Sequence, residues 1–332
     1  MSKNIGIDLG TSNIIVYAKG KGIVLREPSV VAVEARGDRV VAVGAEARMM
    51  LGKTPGSIRA VHPLKEGVIA EFEFAAKMLK DIFRRVSGNA LFSRPRVLIC
   101  IPYGVTEVER RAVEDATLEA GAQSVALIEE PIAAAIGAGL RVEDARGHMI
   151  VDIGGGTTEV AVLSYGGIVV SNSARVAGDA IDEAIVEYIK RKYKVLIGDV
   201  TAEELKKNLA STIPQTDRGY MEARGRNLVN GLPAILTVSS AEVREAIKEQ
   251  IADIVDCIRN TLEQTPPELS SDIYDMGIVM TGGGALISGL PQLISHVTGI
   301  RVLVAKNPLD SVATGIGHVI EADLGSTGYR NR

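Results

Sequence analysis

The amino-acid sequence predicts an α/β fold in which a mixed sheet covered by helices occurs twice. Residues 5–13 and 150–159 both run from β-forming side chains through an aspartate and glycines to hydroxyl side chains. Between and after them, apolar strand patterns alternate with helical periodicity. Aromatic residues make up only 4% of the chain, and tryptophan is absent. Cores built from Val, Ile, Leu and Ala favour α/β layers, and 332 residues suffice for two domains of roughly 150 residues each.

Each of the two matching segments predicts a strand, a tight glycine turn and a returning strand, over 14–17 and 160–163. Glycines permit positive φ and leave no Cβ in the way, so successive backbone N–H groups can converge on an anion. An aspartate at the strand end can hold hydrated Mg²⁺. One such motif is more often an ordinary turn. Two copies, with a third glycine run after the apolar strand 277–280, favour a phosphate clamp.

Local signals also define a long helix and exclude two common nucleotide motifs. Ser239 and Glu242 form a capping box ahead of an apolar stripe that predicts a helix over 241–264. The stretch 52–54 resembles the end of a P-loop, but Ala47 stands where that motif requires its first glycine. We therefore predict a loop there. No G-x-G-x-x-G dinucleotide fingerprint occurs in the chain.

Charge and cysteine usage narrow the class of protein. The net charge of −4 argues against a general nucleic-acid binder. Cys100 and Cys257 have no metal-ligand spacing, which favours a reducing cytoplasm and buried thiols. No signal-peptide pattern precedes the first strand, and no apolar run approaches the ~18 residues of a membrane span.

Further motifs in the chain resemble those of a known superfamily, and the resemblance covers residues 4 to about 320. The two hairpins, together with stretches 129–135, 281–284 and 310–315, resemble the actin/chaperone/sugar-kinase ATPase superfamily. Within it the chain is similar to bacterial actins of the MreB family. The family-like stretches are 175–179, 201–203, 224–226, 230–233 and 265–269.

The resemblance implies an actin-like ATPase fold of two duplicated α/β domains, each with a smaller insertion subdomain. Domain I would comprise 1–142 with 312–332, and its insertion would span about 32–68. Domain II would comprise 143–311, with an insertion at about 180–245.

The resemblance also implies a site for ATP or GTP with Mg²⁺. Asp8 and Asp152 would hold the ion through water. Glu203 and Lys206, one helical turn apart, would face the ribose and adenine, and Gly283 and Gly284 would let the backbone approach the adenosine. The residues expected at the phosphates are Gly10, Thr11, Ser12, Asn13, Gly154, Gly155, Gly156 and Thr157.

Glu130 is the residue expected to support hydrolysis, with Thr157 assisting. Phosphoryl transfer requires mainly positioning and charge neutralisation, and then a group that orients the attacking water. From the residue alone, the better explanation for Glu130 is structural, because a carboxylate at the start of a helix interacts favourably with the helix dipole. The family pattern favours the catalytic role.

Leu91 and Phe92 interrupt an otherwise small and polar stretch, and Arg84, Arg85, Arg94 and Arg96 flank them. An apolar tip surrounded by cations suits an anionic bilayer surface. The alternative is that both side chains fold back into their own domain. Together with the resemblance, this tip predicts a cytoplasmic protein bound peripherally to the inner face of the cytoplasmic membrane.

The leading hypothesis is a nucleotide-dependent filament that organises cell-wall elongation and rod shape, with slow ATP hydrolysis. The resemblance implies head-to-tail assembly, antiparallel pairing of protofilaments near Val108, and membrane proteins of the wall-elongation machinery as partners. The alternatives are a small-molecule kinase, for which no acceptor pocket or general base can be assigned, and a chaperone-type ATPase. A plasmid-segregating actin is a further alternative, which the apolar tip disfavours.

Overall fold

The computed structural model describes residues 4–37, 39–87 and 94–322. The chain divides into two compact units. Unit 1 comprises Met1–Ala145, Leu163–Ile168 and Leu309–Arg332, and unit 2 comprises Arg146–Val162 and Val169–Pro308. The domain and insertion boundaries expected from the sequence stay predictions.

Strands and helices alternate along the chain as expected. In chain order, the strands of the described residues are β1 (Asn4–Leu9), β2 (Asn13–Ala18), β3 (Gly22–Pro28), β4 (Val31–Glu34), β5 (Val40–Val43), β6 (Ile58–Val61), β7 (Leu64–Lys65), β8 (Val68–Ile69), β9 (Arg96–Ile101), β10 (Ser124–Glu129), β11 (His148–Ile153), β12 (Thr158–Ser164), β13 (Gly167–Ala174), β14 (Val195–Leu196), β15 (Tyr220–Asn227), β16 (Pro233–Ser239), β17 (Ile278–Thr281) and β18 (Val302–Val304).

The helices over the same residues are α1 (Ala45–Met49), α2 (Phe72–Ser87), α3 (Glu107–Glu119), α4 (Glu130–Gly137), α5 (Gly178–Tyr193), α6 (Asp199–Leu209), α7 (Ser240–Ala246), α8 (Lys248–Glu263), α9 (Pro267–Met276), α10 (Leu290–Thr298) and α11 (Ser311–Glu321). Short 3₁₀ helices lie at Pro214–Thr216, Gly283–Leu286 and Pro308–Asp310.

The two main sheets repeat one topology. The first has the strand order β10-β9-β1-β2-β3, and the second has the order β13-β12-β11-β17-β18. In each, three consecutive strands lie side by side, and the first of them is extended by two later strands in parallel. Parallel neighbours require crossover connections, which the intervening helices supply. The duplicated mixed α/β fold predicted from the sequence is therefore confirmed.

Each main sheet supports its own apolar core. Every residue of β11 and β12 is buried, as expected for strands covered on both faces. In unit 1, α2 buries Met78, Leu79 and Ile82 completely. Two three-stranded sheets, ordered β5-β4-β6 and β14-β15-β16, and the two-stranded sheet β7-β8 add to the main ones.

One element differs from its prediction. The helix expected over 241–264 is divided at Ile247, where φ is −97° and ψ is 5°. Hydrogen bonds still run from Ile247 N to Val243 O and from Ile251 N to Ile247 O, so helical bonding continues on both sides. Ile247 is fully buried within the predicted stripe. The difference is a local bend that keeps the apolar stripe on the core, and the capping box of Ser239 and Glu242 is confirmed.

Glu242 also joins α7 to the end of α5. Its carboxylate accepts hydrogen bonds from Lys192 Nζ at 2.6 Å, from the Tyr193 hydroxyl and from Ser239 N at 2.8 Å. Burial raises the pKa of Glu242, but these donors outweigh it and lower the pKa to about 2, below its ordinary value of 4.5. A carboxylate with a lowered pKa stabilises the fold above its unfolded pKa, and that contribution is lost as the pH falls.

We expect Glu242→Gln to lower the free energy of unfolding at pH 7 and to flatten its decline between about pH 4.5 and pH 2. Urea unfolding across this pH range measures both effects. Glu245→Gln, at an exposed position on the same helix, is the matched control. A pH dependence shared by Glu242→Gln and the unsubstituted protein would contradict the assignment.

Candidate functional site

The first glycine loop, called loop 1 here (residues 10–12), joins β1 to β2 in unit 1. A Cβ added at Gly10 would lie 2.7 Å from Asn13 O, so only glycine allows this turn. The fully buried Ser29 braces the loop. Its hydroxyl donates to Gly10 O at 2.6 Å, and its backbone N–H donates to Ser12 O at 3.0 Å.

Asp8 and Glu130 lie close to one buried thiol. Cys100, on β9, donates through Sγ to Asp8 Oδ1 at 3.5 Å. Burial raises the pKa of Cys100, and the negative charges of Asp8 and Glu130 raise it further. Unit 1 thus places the aspartate at the end of β1 and the first carboxylate of α4 near the same atom. Because the raised pKa keeps Cys100 in its thiol form, this side chain is not a reactive nucleophile.

Glu130 is the first residue of α4, as the sequence predicted. Glu129 stands at the N-cap without a side-chain capping bond, and Pro131 follows within the first turn. Residues 131–135 are buried, so α4 is fixed along its length while Glu130 at its start stays partly exposed. Burial raises the pKa of the neighbouring Glu129, and Arg110 partly offsets the shift.

The second glycine loop, called loop 2 here (residues 154–157), joins β11 to β12 in unit 2. Gly154 N donates to Thr157 O at 2.9 Å and closes the turn. The first residues of α5 bind the loop from outside: Gly178 N donates to Gly154 O at 3.2 Å, and Asp179 N donates to Gly155 O at 2.8 Å. Loop 2 is therefore anchored on the N-terminus of α5.

Asp152 precedes loop 2 and is only 4% exposed. Thr281, at the end of β17, donates through its hydroxyl to Asp152 Oδ1 at 2.9 Å. Gly282 has φ +77°, and a Cβ there would lie 2.6 Å from the same carboxylate oxygen. A Cβ at Gly284 would lie 2.2 Å from Ile153 Cγ2. The third glycine run therefore packs directly against the end of β11.

Glu203 and Lys206 both lie on α6. Lys206 Nζ donates to Asp182 Oδ2 at 2.6 Å and to Gly178 O at 2.9 Å. Glu203 forms an ion pair with Lys207 at 2.6 Å. The structure thus brings Lys206 to the residues that anchor loop 2.

Ser29, Asp182 and the Thr281 hydroxyl were not assigned roles from the sequence. Ser29 and Asp182 lie far along the chain from the loop that each supports, and neither belongs to a local motif. Thr281 belongs to the glycine run already noted, and its position after a buried strand is the signal that could have identified it.

Two sequence predictions concern surfaces. Leu91 and Phe92 lie outside the described residues. Val108, on α3, is 77% exposed. Within residues 4–37, 39–87 and 94–322, no helix is both long and apolar enough to cross a membrane.

Asp8 in unit 1 and Asp152 in unit 2 are the carboxylates predicted to hold a metal ion. Among the described residues, no group of three or more His, Cys, Asp or Glu side chains could hold one. Asp8 and Asp152 belong to no such group, and they lie near the equivalent ends of β1 and β11. Such a donor set suits Mg²⁺ that takes most of its ligands from water and phosphate oxygens.

Comparison with known proteins agrees with this architecture. The family model described as MreB/Mbl protein matches residues 2–324. The chain is 51% identical over 320 residues to the cell shape-determining protein Mbl of Bacillus subtilis, covering 96% of each chain. It is 51% identical over 327 residues to the cell shape-determining protein MreB of Escherichia coli, covering 96% of this chain and 94% of the relative.

Solved structures show the same likeness. A crystal structure of MreB5 of Spiroplasma citri bound to AMPPNP has a TM-score of 0.92 and 40% identity, and the match covers 97% of each chain. A MamK double helical filament structure, 21% identical with a TM-score of 0.81, shares the fold. With its duplicated sheets, its paired glycine loops and a family match that spans almost its whole length, the chain belongs to the MreB/Mbl family.

Proposed function

We propose that this protein is an actin-like, cell shape-determining filament protein that binds ATP with Mg²⁺ and hydrolyses it slowly. The observation that carries the proposal is the occurrence of one glycine loop at the same place in each duplicated sheet. The names of the relatives support the cell-shape role. Structures of MreB5 with AMPPNP and with ADP support nucleotide binding.

In this proposal both loops contact the phosphates through backbone N–H groups and hydroxyls. Asp8 and Asp152 would hold Mg²⁺ through water, and the bound ion would supply positive charge opposite the phosphate oxygens. Gly283, Gly284 and Glu203 serve the nucleoside, with Lys206 at the same side. The residues proposed at the phosphates are Gly10, Thr11, Ser12, Asn13, Gly154, Gly155, Gly156 and Thr157.

We propose that Glu130 orients the attacking water and accepts its proton, with Thr157 as a second hydrogen-bonding group. The rigid, buried body of α4 supports this role because it fixes the position of its first residue. The buried Cys100 lies near the negative charges of both Asp8 and Glu130, which places these two carboxylates in the same part of unit 1.

We propose that the filaments assemble head to tail and pair near the exposed Val108. They would lie on the inner face of the cytoplasmic membrane through Leu91 and Phe92 and position membrane proteins of the wall-elongation machinery. ATP binding would favour the assembling conformation by population shift.

Negative-stain electron microscopy with Mg-ATP and vesicles containing anionic lipid tests this function. We expect paired filaments lying on the vesicles. Dispersed monomers in a preparation that still hydrolyses ATP would overturn the filament proposal. Neutral-lipid vesicles are the control for the electrostatic part of the attachment.

We expect the double substitution Leu91→Ser, Phe92→Ser to abolish sedimentation with anionic vesicles while filaments still form in solution. Insertion of the two apolar side chains into the bilayer buries apolar surface, and contacts with the lipid headgroups alone do not. Val229→Ser, at an apolar position that is 82% exposed and has no role in the proposal, is the matched control for membrane attachment. Undiminished vesicle binding by the double variant would exclude the tip.

A further inference from the structure

An ion pair lies beside loop 2 in unit 2. Lys206 Nζ and Asp182 Oδ2 are 2.6 Å apart, and each side chain is only 16% exposed. The pair links α6, which carries Lys206, to the first turns of α5, which carry Asp182. The second carboxylate oxygen, Asp182 Oδ1, is buried without a hydrogen-bond partner among the described residues. Breaking the pair therefore leaves a shielded charge, which is costlier than losing a surface pair.

The same ammonium group reaches the residue that anchors loop 2. Lys206 Nζ donates to Gly178 O at 2.9 Å, and Gly178 N donates to Gly154 O at 3.2 Å. A Cβ at Gly178 would lie 3.3 Å from Lys206 Nζ and 3.2 Å from Gly154 O. The Lys206 side chain, the start of α5 and loop 2 are thus in direct contact. If the ammonium group moved away, the Gly178 carbonyl would lose its hydrogen bond from Lys206.

We propose that Asp182 is a positioning residue for nucleotide binding: it holds the Lys206 ammonium on the Gly178 carbonyl and so fixes the α5 N-terminus against loop 2. The inference rests on the proposed nucleotide site. It assigns to Lys206 a supporting role at the phosphate loop in addition to its place on the nucleoside side.

The charges around Asp182 make this device sensitive to pH. Burial raises the pKa of Asp182 to about 6, Lys206 opposes the rise, and Glu203 and Asp179 add to it. As the pH falls through this value the carboxylate takes up a proton and the ion pair is lost. Nucleotide binding through loop 2 therefore weakens below about pH 6.

Asp182→Asn in the full chain tests the proposal because the amide keeps the size of the side chain and removes its charge. We expect the dissociation constant for Mg-ADP at pH 7.5 to rise by about tenfold, the value of one charge-assisted hydrogen bond, and that for adenosine to change much less. The double variant with Lys206→Met should bind ADP no more weakly than Lys206→Met alone. Glu187→Gln, which breaks an exposed pair on the same helix, is the matched control.

The pH profile supplies a second measurement. Between pH 7.5 and 5 the ADP affinity of the unsubstituted protein should fall more steeply than that of Asp182→Asn, and this comparison removes the titration of the nucleotide itself. An unchanged ADP affinity in Asp182→Asn, or an equal loss for adenosine, would overturn the inference. If Asp182→Asn does not fold, Asp182→Glu replaces it. Its dissociation constant for Mg-ADP should lie above that of the unsubstituted protein but below the roughly tenfold higher value expected for loss of the charge. Failure of the unsubstituted protein to bind ADP would instead overturn the proposed function.

Discussion

Gly315→Ala is expected to destabilise unit 1 by about 3 kcal/mol, although alanine normally favours a helix over glycine by about 1 kcal/mol. A Cβ at Gly315, on α11, would lie 1.8 Å from Ala133 O on α4. The reciprocal glycine on α4 is Gly137, whose Cβ would lie 1.8 Å from Ser311 O. The two helix backbones are in contact, so a single methyl group must force them apart.

Gly56→Ala is the control for this substitution because a Cβ there meets nothing within 4 Å. Urea unfolding compares the free energies of unfolding of the two variants. Because α4 also carries Glu130 at its start, we expect Gly315→Ala to impair hydrolysis even at temperatures at which the protein stays folded. Equal stability of Gly315→Ala and Gly56→Ala would show that the close approach of α4 and α11 is not required.

Glu130→Ala is expected to retain nucleotide binding and to lose most phosphate release, by about 10²–10⁴-fold. A residue that orients the attacking water contributes to the transition state and little to the bound ground state. Single-turnover phosphate release measures hydrolysis, and the dissociation constant for AMPPNP measures binding.

The neighbouring carboxylate offers the control for Glu130. Glu129→Ala removes a side chain that makes no capping hydrogen bond to α4 and whose charge lies near Arg110. Its hydrolysis rate should stay within a few-fold of the unsubstituted protein. Hydrolysis by Glu130→Ala at the rate of the unsubstituted protein would reject the catalytic role. Glu130 would then be a carboxylate that only interacts favourably with the helix dipole.

Much of the fold could be predicted because its signals are local. The hairpins around Asp8 and Asp152, the start of α4 at Glu130 and the capping box of Ser239 each depend on a few consecutive residues. The helix over 241–264 shows the limit of such signals. Its apolar period predicts which residues are buried, whereas no local signal predicts the bend at Ile247.

The candidate site divides in the same way. Glycines, hydroxyls and aspartates of both loops are visible in the sequence since each loop is one short turn between two strands. Ser29 on Gly10 O and Thr281 on Asp152 could not be predicted, because the residues that meet there are separated along the chain by a complete element or more.

The duplicated α/β architecture, the two glycine loops and the family can be inferred from the sequence, because periodicity, turn residues and motif spacing are properties of neighbouring positions. The contact between two helix backbones at Gly137 and Gly315 is visible only in the folded protein. The same is true of the hydrogen bonds from Lys206 to Gly178 and Asp182. These residues are distant along the chain, so their contacts depend on how separate helices pack. Steric fit and charge act on them only after packing has brought them together.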